Sequence, residues 1–451
     1  MRILHISTRL ILGGSQENTI LSCEGQARLG HKVHLAYGPI YGPEGSMLER
    51  VQSFNQRCES GEERVRPVGR YLPARDEGKK IVPIVLHEVP ALVREVRPFT
   101  DYRCLRQLKQ LIGRIGPDVV HTHSSKAGIL GRFAAWSFQR SPSKRVSTIE
   151  SPPPGVVHTI HGPPFMPGEE PRTRLNNLLY TLAERAAARK SHIIISVAEA
   201  MTRLFLSRNI GQPSQYVTVY SGMETGPFLH PAPGQDRASQ RAALHFTPDD
   251  IIIGTVSRLA EHKGHDDLLD GLAPMLAQNP RLKLLWVGDG WWRNRLLQKA
   301  REKSITIREL DKPNDAPTHT SPAQLTLTGL VDPDRVPGLI HAMDILAHPS
   351  YREGLPRTVP QALLSGIPAV AYDVDGTGEV CIDHVTGRLI PPGNATQLAD
   401  AINQLAQDAH LRATLGAAGR DMCTDRFDAD RMVAELEAIY RRAITLARPT
   451  N

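Results

Sequence analysis

Apolar and polar positions alternate along this chain in two similar series. Residues 2–8 (RILHIST) alternate like a half-buried strand, residues 15–29 have helical apolar spacing, and residues 32–38 alternate again. The chain therefore opens with a βαβ unit. Residues 117–135 (PDVVHTHSSKAGILGRFAA) read as strand, polar loop and helix, and VVHTI before His161 as a further strand. A helix over 172–190, a strand over 192–197 and the run VTVYSGM (217–223) complete the first series. Residues 53–76 are charged without a period and are expected to be loop, and 141–154 form a Pro- and Ser-rich insertion. The stretch 225–250 is rich in Pro, Gly and charge and reads as a linker. Beyond it, strands are expected at 251–257, 283–287, 325–330, 344–347, 369–372 and 387–390, with helices between and a last helix at 428–448. This predicts an α/β protein of two doubly wound domains, residues 1–225 and 226–427.

Length agrees, because 451 residues are too many for one core. No run approaches the ~18 apolar residues of a membrane-spanning helix. The apolar start runs directly into Gly13-Gly14 without a small-residue cleavage site, so no signal peptide is expected. Five cysteines are scattered without paired spacing, which points to a reducing cytoplasm and away from structural zinc. The net charge of +7 suits anionic partners. No nucleic-acid-binding signature is present, so a nucleotide sugar or the inner face of a membrane is expected instead. Arg94, Arg97, Arg103, Arg106, Lys109 and Arg114 are interleaved with Val, Leu and Ile. That segment either packs on its own sheet with a solvated basic face or rests on anionic lipid.

The candidate chemistry centres on residues 350–366 (SYREGLPRTVPQALLSG). The apolar run MDILAHP predicts a buried strand; Glu353 and Gly354 follow at its carboxyl end, and a helix begins soon after. A helix start in such a crevice offers free N–H groups to an anion such as a diphosphate. Pro356 suits the first helical turn, whereas Pro360 predicts a late start or a kink. Arg258 follows another strand, with Lys263 five residues on. Gly13-Gly14 is either a tight turn or a place of close ligand approach. His121 and His123 face the same side of their strand, yet no third metal-binding partner is near in sequence. Ser124, Ser125 and Lys126 lie at that strand's carboxyl end, where ligands bind in open α/β sheets; Lys126 contacts an acceptor or is a surface lysine. His161 either caps local backbone or meets a ligand. The DVD run (373–375) reads as a turn leading to Gly376 and Glu379 rather than as a metal site, and adjacent Trp291 and Trp292 read as packing residues, one of which can stack on a base.

These motifs, in this order, resemble family 4 of the retaining glycosyltransferases, which have a GT-B fold of two Rossmann-like domains facing a central cleft. The resemblance implies a nucleotide-diphosphate sugar (UDP- or GDP-sugar) as co-substrate, no cofactor and no metal. It implies that Arg258 and Lys263 bind the diphosphate and that Glu353, with backbone groups of Gly354, Leu355 and Pro356, holds the sugar. It further implies that Gly13 and Gly14 face the cleft, that His161 lies near the transferred sugar, and that the last helix packs back on the first domain. Ser124 and Lys126 become acceptor contacts. The family's second glutamate falls on Gln361, which keeps a carbonyl acceptor for ribose hydroxyls but adds a donor and loses the charge. The expected activity is transfer of a hexosyl or N-acetylhexosaminyl group, with retention, to a glycan or lipid-linked acceptor in surface polysaccharide or glycoconjugate synthesis. The expected location is the cytoplasm, at the inner face of the membrane. Gln361 supports an alternative, a non-catalytic nucleotide-sugar-binding protein. A nicotinamide-dependent oxidoreductase is disfavoured, because the first loop lacks GxGxxG.

Overall fold

The computed structural model describes residues 1–40, 45–74, 76–139, 152–165, 170–310 and 323–448. Most of the Pro- and Ser-rich insertion, residues 141–151, lies outside them. The chain divides into two compact units, Met1–Met223 with Phe427–Asn451, and Glu224–Arg426.

The first unit is built from β1 (Arg2–Ser7), α1 (Gly14–Arg28), β2 (Lys32–Tyr37), α2 (Leu48–Ser60), β3 (Val85–Glu88), α3 (Pro98–Ile115), β4 (Val119–His123), α4 (Ser125–Trp136), β5 (Gly155–Ile160), α5 (Pro171–Ala188), β6 (Ile193–Ser196), α6 (Glu199–Ser207) and β7 (Tyr216–Thr218). Its seven parallel strands run in the order β3-β2-β1-β4-β5-β6-β7. The direction of winding reverses between β1 and β4, and such a switch point opens a crevice at the carboxyl ends of the strands. β1 and β4 pair so that His5 lies beside His121.

The second unit holds α7 (Gly226–Leu229), α8 (Arg237–Ala243), β8 (Ile251–Val256), α9 (His265–Gln278), β9 (Leu282–Val287), α10 (Arg293–Glu302), β10 (Ile307–Glu309), β11 (Leu325–Leu327), α11 (Val336–His341), β12 (Ile345–His348), α12 (Thr358–Leu364), β13 (Ala369–Tyr372), β14 (Gly387–Ile390), α13 (Ala395–Gln407) and α14 (Ala409–Arg426). Its sheet is also parallel, in the order β10-β11-β9-β8-β12-β13-β14, with the reversal between β8 and β12. One apolar core joins β8, β9, β12 and β13 to α9, α10 and α13 and includes fully buried Trp286. Parallel strands are covered on both faces, which is why they read as unbroken apolar runs such as LKLLWV.

The last helix, α15 (Ala429–Ala447), belongs to the first unit. Its Met432, Val433, Leu436, Ile439 and Tyr440 share a core with Ile3, Val119, Val157 and Ile193. A Cβ on Gly155 would stand 2.8 Å from the Ala443 carbonyl carbon, so glycine at the start of β5 lets this helix seat closely.

Three local expectations are corrected. Residues 53–76 are not all loop, because α2 runs to Ser60 and buries Val51, Phe54 and Cys58 on one face. Two short strands, β3 and β10, escape the sequence pattern; β3 is partly exposed and β10 has three residues. Pro356 precedes α12 rather than sitting in its first turn, and Pro360 takes the third helical position, where its missing N–H is one of the unpaired group. Among the described residues, no helix is long and apolar enough to cross a membrane.

Candidate active site

In the second unit the loop after β12 is held by the loop after β8. His262 O accepts from Tyr351 N at 2.8 Å and from Ser350 Oγ at 3.1 Å. Gly264 takes a left-handed backbone (φ 68°), and a Cβ there would stand 1.9 Å from Pro349 O. Only glycine permits both the turn and this approach. The two loops so joined carry Lys263 and Glu353, whose side chains form an ion pair through Nζ and Oε1. Glu353 Oε1 also lies 3.1 Å from His348 Nε2. The side chains of Lys263 and Glu353 are 18% and 13% exposed, so the pair is largely shielded from solvent.

Burial alone would raise the Glu353 carboxyl. The Lys263 charge and the His348 hydrogen bond outweigh it, and the group is held well below the usual carboxylate range. A carboxylate fixed in its ionised form accepts hydrogen bonds from hydroxyl groups without changing state. The backbone N–H of Glu353 donates to Asp375 Oδ2 at 2.8 Å, and Gly376 N donates to Gly354 O at 3.1 Å. Asp375, itself left-handed at φ 48°, thus braces the Glu353 loop. Gly354, Leu355 and Pro356 are buried beside it, and Gln361 lies partly buried within α12. Arg258 follows β8, with its guanidinium carbon 5.4 Å from the centre of the Trp291 ring. Trp291 is 67% exposed, whereas Trp292 packs on the unit's core. His265 is buried behind these loops; desolvation, reinforced by the Lys263 charge, lowers it to about 3, so it is neutral.

In the first unit the β1, β4 and β5 ends meet. Gly13 precedes α1 in an extended conformation, and a Cβ there would meet the Gln16 side chain; Gly14 begins the helix. Ser124 holds φ 63°, a costly value for a residue with a Cβ, and its Oγ lies 2.7 Å from Thr8 Oγ1. Lys126 is turned onto α3, where Nζ pairs with Asp101 Oδ1 at 2.6 Å and donates to Glu95 O. It is therefore engaged within the fold. His161 Nε2 lies 3.1 Å from His123 Nδ1, and His123 Nε2 lies 2.9 Å from His5 Nδ1. His5 Nε2 is 2.8 Å from Gln26 Oε1, and Gln26 Nε2 donates to Tyr440 OH at 2.9 Å. His121 completes the array, 2.7 Å from Tyr440 OH through Nδ1 and 2.7 Å from Thr159 Oγ1 through Nε2.

The third imidazole that sequence spacing did not offer is His5. The ligand nitrogens of His5, His121 and His123 lie within 4.8 Å of one another, a set that can hold a divalent ion. Every ring nitrogen of the three is nonetheless engaged in a hydrogen bond, and a metal would have to break the His5–His123 link. The donor set fits a hydrogen-bonded chain better than a metal centre.

The structure thus brings Lys263 and Glu353 together in one unit, and Ser124 and His161 to the strand ends of the other. Sequence reasoning missed His5, His348 and Asp375. His348 was within sight, as the last residue of the β12 apolar run immediately before the Glu353 loop.

Two parallel seven-stranded α/β units in one chain, each with polar groups gathered at the carboxyl ends of its central strands, define the GT-B class of glycosyltransferase. A structure of Anabaena Alr3699/HepE in complex with UDP and glucose has this fold, with a TM-score of 0.71 and 18% identity over 98% of this chain and 99% of that one. The chain belongs to the group 1 glycosyltransferases: residues 13–222 match the glycosyl transferase 4-like domain and residues 250–408 match Glycosyl transferases group 1. Similar curated proteins include the capsular polysaccharide biosynthesis glycosyltransferase CapM of Staphylococcus aureus, 22% identical over 79% of this chain and 84% of that one. Another is an Escherichia coli UDP-Gal:alpha-D-GlcNAc-diphosphoundecaprenol alpha-1,3-galactosyltransferase, 24% identical over 78% and 82%.

Proposed function

We propose that this glycosyltransferase moves a hexosyl or N-acetylhexosaminyl group, with retention and without a metal, from a UDP- or GDP-sugar to a glycan or lipid-linked acceptor. The pathway is synthesis of a surface polysaccharide or glycoconjugate, a reading supported by the names of the relatives CapM and the galactosyltransferase. The observation that carries the reading is the shielded Lys263–Glu353 pair on two interlocked loops. Departure of a nucleoside diphosphate builds negative charge on its oxygens. Lys263 and Arg258 answer that charge more strongly as it grows, which lowers the barrier. Glu353 and the Gly354–Leu355 backbone hold the sugar, and Gln361 meets the ribose. Gly13 and Gly14 leave room beside the donor, and His161 meets a sugar hydroxyl. Ser124 is an acceptor contact; Lys126 serves indirectly, tying α3 to the start of α4.

We place the enzyme in the cytoplasm at the inner membrane face. Val96, Phe99 and Tyr102 are 70%, 93% and 65% exposed beside exposed Arg94, Arg97, Arg103 and Arg106. Such a mixture suits an anionic lipid surface. Co-sedimentation with anionic vesicles at low and high salt tests this, and the absence of salt-sensitive binding would count against it.

The donor test is a thermal-shift scan with UDP, GDP, ADP and CMP in EDTA. Ligand at a hundred times its dissociation constant stabilises by about 2.7 kcal/mol, or roughly 5 °C or more for a unit of this size. A shift with UDP or GDP is expected. A flat result with all four, repeated with the nucleotide sugars, would sink the proposal. Nucleotide binding with no turnover on any acceptor would favour the non-catalytic alternative that Gln361 suggests.

A further inference from the structure

Two donors hold the Glu353 carboxylate, and they differ in kind. Lys263 is carried by a short 3-10 turn, Glu261–Lys263, and reaches Oε1 on a flexible four-carbon stem. His348 is the last residue of β12, in register with Ala371 of β13, and meets the same oxygen through Nε2 at 3.1 Å. An ionised carboxylate can only accept, so Nε2 carries the hydrogen of this bond. On the other side of the ring, Nδ1 lies 3.3 Å from the Oγ1 of Thr358, the first residue of α12. The buried imidazole therefore links the end of β12, the Glu353 loop and the start of α12. Among the described residues, both side-chain hydrogen bonds given to the carboxylate fall on Oε1. Oε2 is thus the oxygen that can accept from a ligand hydroxyl.

We propose that His348 is a positioning residue, which fixes Oε1 of Glu353 and keeps Oε2 aimed at the sugar while Lys263 turns to the departing diphosphate. The inference rests on the function proposed above, in which Glu353 holds the sugar and Lys263 answers the diphosphate. Those two duties of Lys263 compete. As charge grows on the leaving oxygens the ammonium is drawn to them, and its hold on Glu353 loosens at the moment when the geometry of the sugar matters most. The imidazole has two side-chain torsions, a strand beneath it and a partner at each ring nitrogen, so it stays in place. Misplacement of a reacting group by about 1 Å costs on the order of a hundredfold in rate, which is the loss that a second, fixed donor prevents.

The test replaces the ring with side chains that do or do not restore its donor. In His348→Gln the amide nitrogen stands near the place of Nε2 and can donate to Oε1. In His348→Asn it stands near Nδ1 and falls short, and His348→Leu has no donor. The full chain is offered a panel of UDP- and GDP-hexoses and N-acetylhexosamines with water as acceptor, and release of UDP or GDP is followed. His348→Leu and His348→Asn should lower kcat by about ten- to hundredfold, and His348→Gln by about threefold or less. Affinity for UDP or GDP, which have no sugar for Glu353 to hold, should stay within about twofold in calorimetry. In a Glu353→Gln background, His348→Leu should cost no more than about twofold further, because the ring acts through that carboxylate. Equal losses in the Gln and Asn variants, or an undiminished loss in the Glu353→Gln background, would overturn the proposal. So would an unchanged kcat, or a matching loss of UDP or GDP affinity, which marks a merely structural role. If His348→Leu does not fold, the Asn and Gln variants decide between them. If the wild type releases no nucleotide from any of the panel, the function above has failed and this inference falls with it. If the wild type is active and the variants do not separate, the positioning role alone has failed.

Discussion

Lowering the pH from 8 to 5 should destabilise the first unit well before its carboxylates titrate. His5 is the clearest contributor. It is 0% exposed, and desolvation lowers its folded-state value from 6.5 to about 4, partly offset by the Gln26 hydrogen bond. The unfolded chain takes up a proton on this ring near pH 6.5, the folded chain only near 4. The stability that His5 contributes is therefore complete above pH 6.5 and is lost as the pH falls towards 4. At about 1.4 kcal/mol per unit the whole effect is ~3 kcal/mol, of which ~2 kcal/mol is gone by pH 5. For a unit of this size that is a fall in Tm of about 4–8 °C. Burial lowers His121, His123 and His158 in the same direction, so they act with His5. The assay is thermal and urea unfolding at pH 8, 6.5 and 5, with His5→Phe alongside. The variant lacks one titrating ring and should show a shallower pH slope. A wild-type Tm that moves by less than about 1 °C between pH 8 and 5 would refute the reasoning.

Gly264→Ala forces a Cβ to within 1.9 Å of Pro349 O at a left-handed turn; it should cost about 2 kcal/mol or more in urea unfolding and weaken nucleotide binding measured by calorimetry. Glu184→Ala strands Arg132, which pairs with it at 2.6 Å inside the first unit, and should cost about 3–5 kcal/mol, whereas Arg132→Met with Glu184→Leu should recover most of that loss. Gln361→Glu restores a charged acceptor for ribose hydroxyls and should tighten UDP or GDP binding by about 1 kcal/mol in calorimetry; weaker binding would remove Gln361 from the nucleotide site. Glu353→Gln keeps the shape but releases the Lys263 ion pair, and transfer activity should fall by about a hundredfold or more; full activity would remove Glu353 from the mechanism.

Much of the fold was legible because parallel strands buried on both faces leave unbroken apolar runs, as in ILAH before the Glu353 loop. The local loops that carry Arg258, Lys263 and Glu353 follow from those strands. What was hidden is of two kinds. α2 was masked by its own charged face, since QRCESGEER conceals the spacing of Val51, Phe54 and Cys58. The other kind is non-local. His5 reaches His123 only because β1 pairs with β4 across more than a hundred residues of sequence. Asp375 was read as part of a turn, which it is, but only the packing of the β13 end on the β12 loop shows that its carboxylate takes the Glu353 amide. Lys126 shows the converse, because a lysine at a strand's carboxyl end looks available until α3 supplies Asp101.

The place of α15 bears on how this protein is made. The ribosome delivers residues 1–223 first, yet the core that contains Ile3, Val119 and Val157 also needs Leu436, Ile439 and Tyr440, which emerge after the whole of residues 224–426. Each large apolar side chain withheld leaves about 1.5–3 kcal/mol unrealised. The nascent first unit must therefore wait, with the part of its sheet that α15 covers left open beside α1, while the second is synthesised and can fold. A chain cut short near residue 426 would keep an intact second unit beside a half-finished first one, a target for chaperones and proteases. Damage at the last helix would thus be felt at the site where the chain begins.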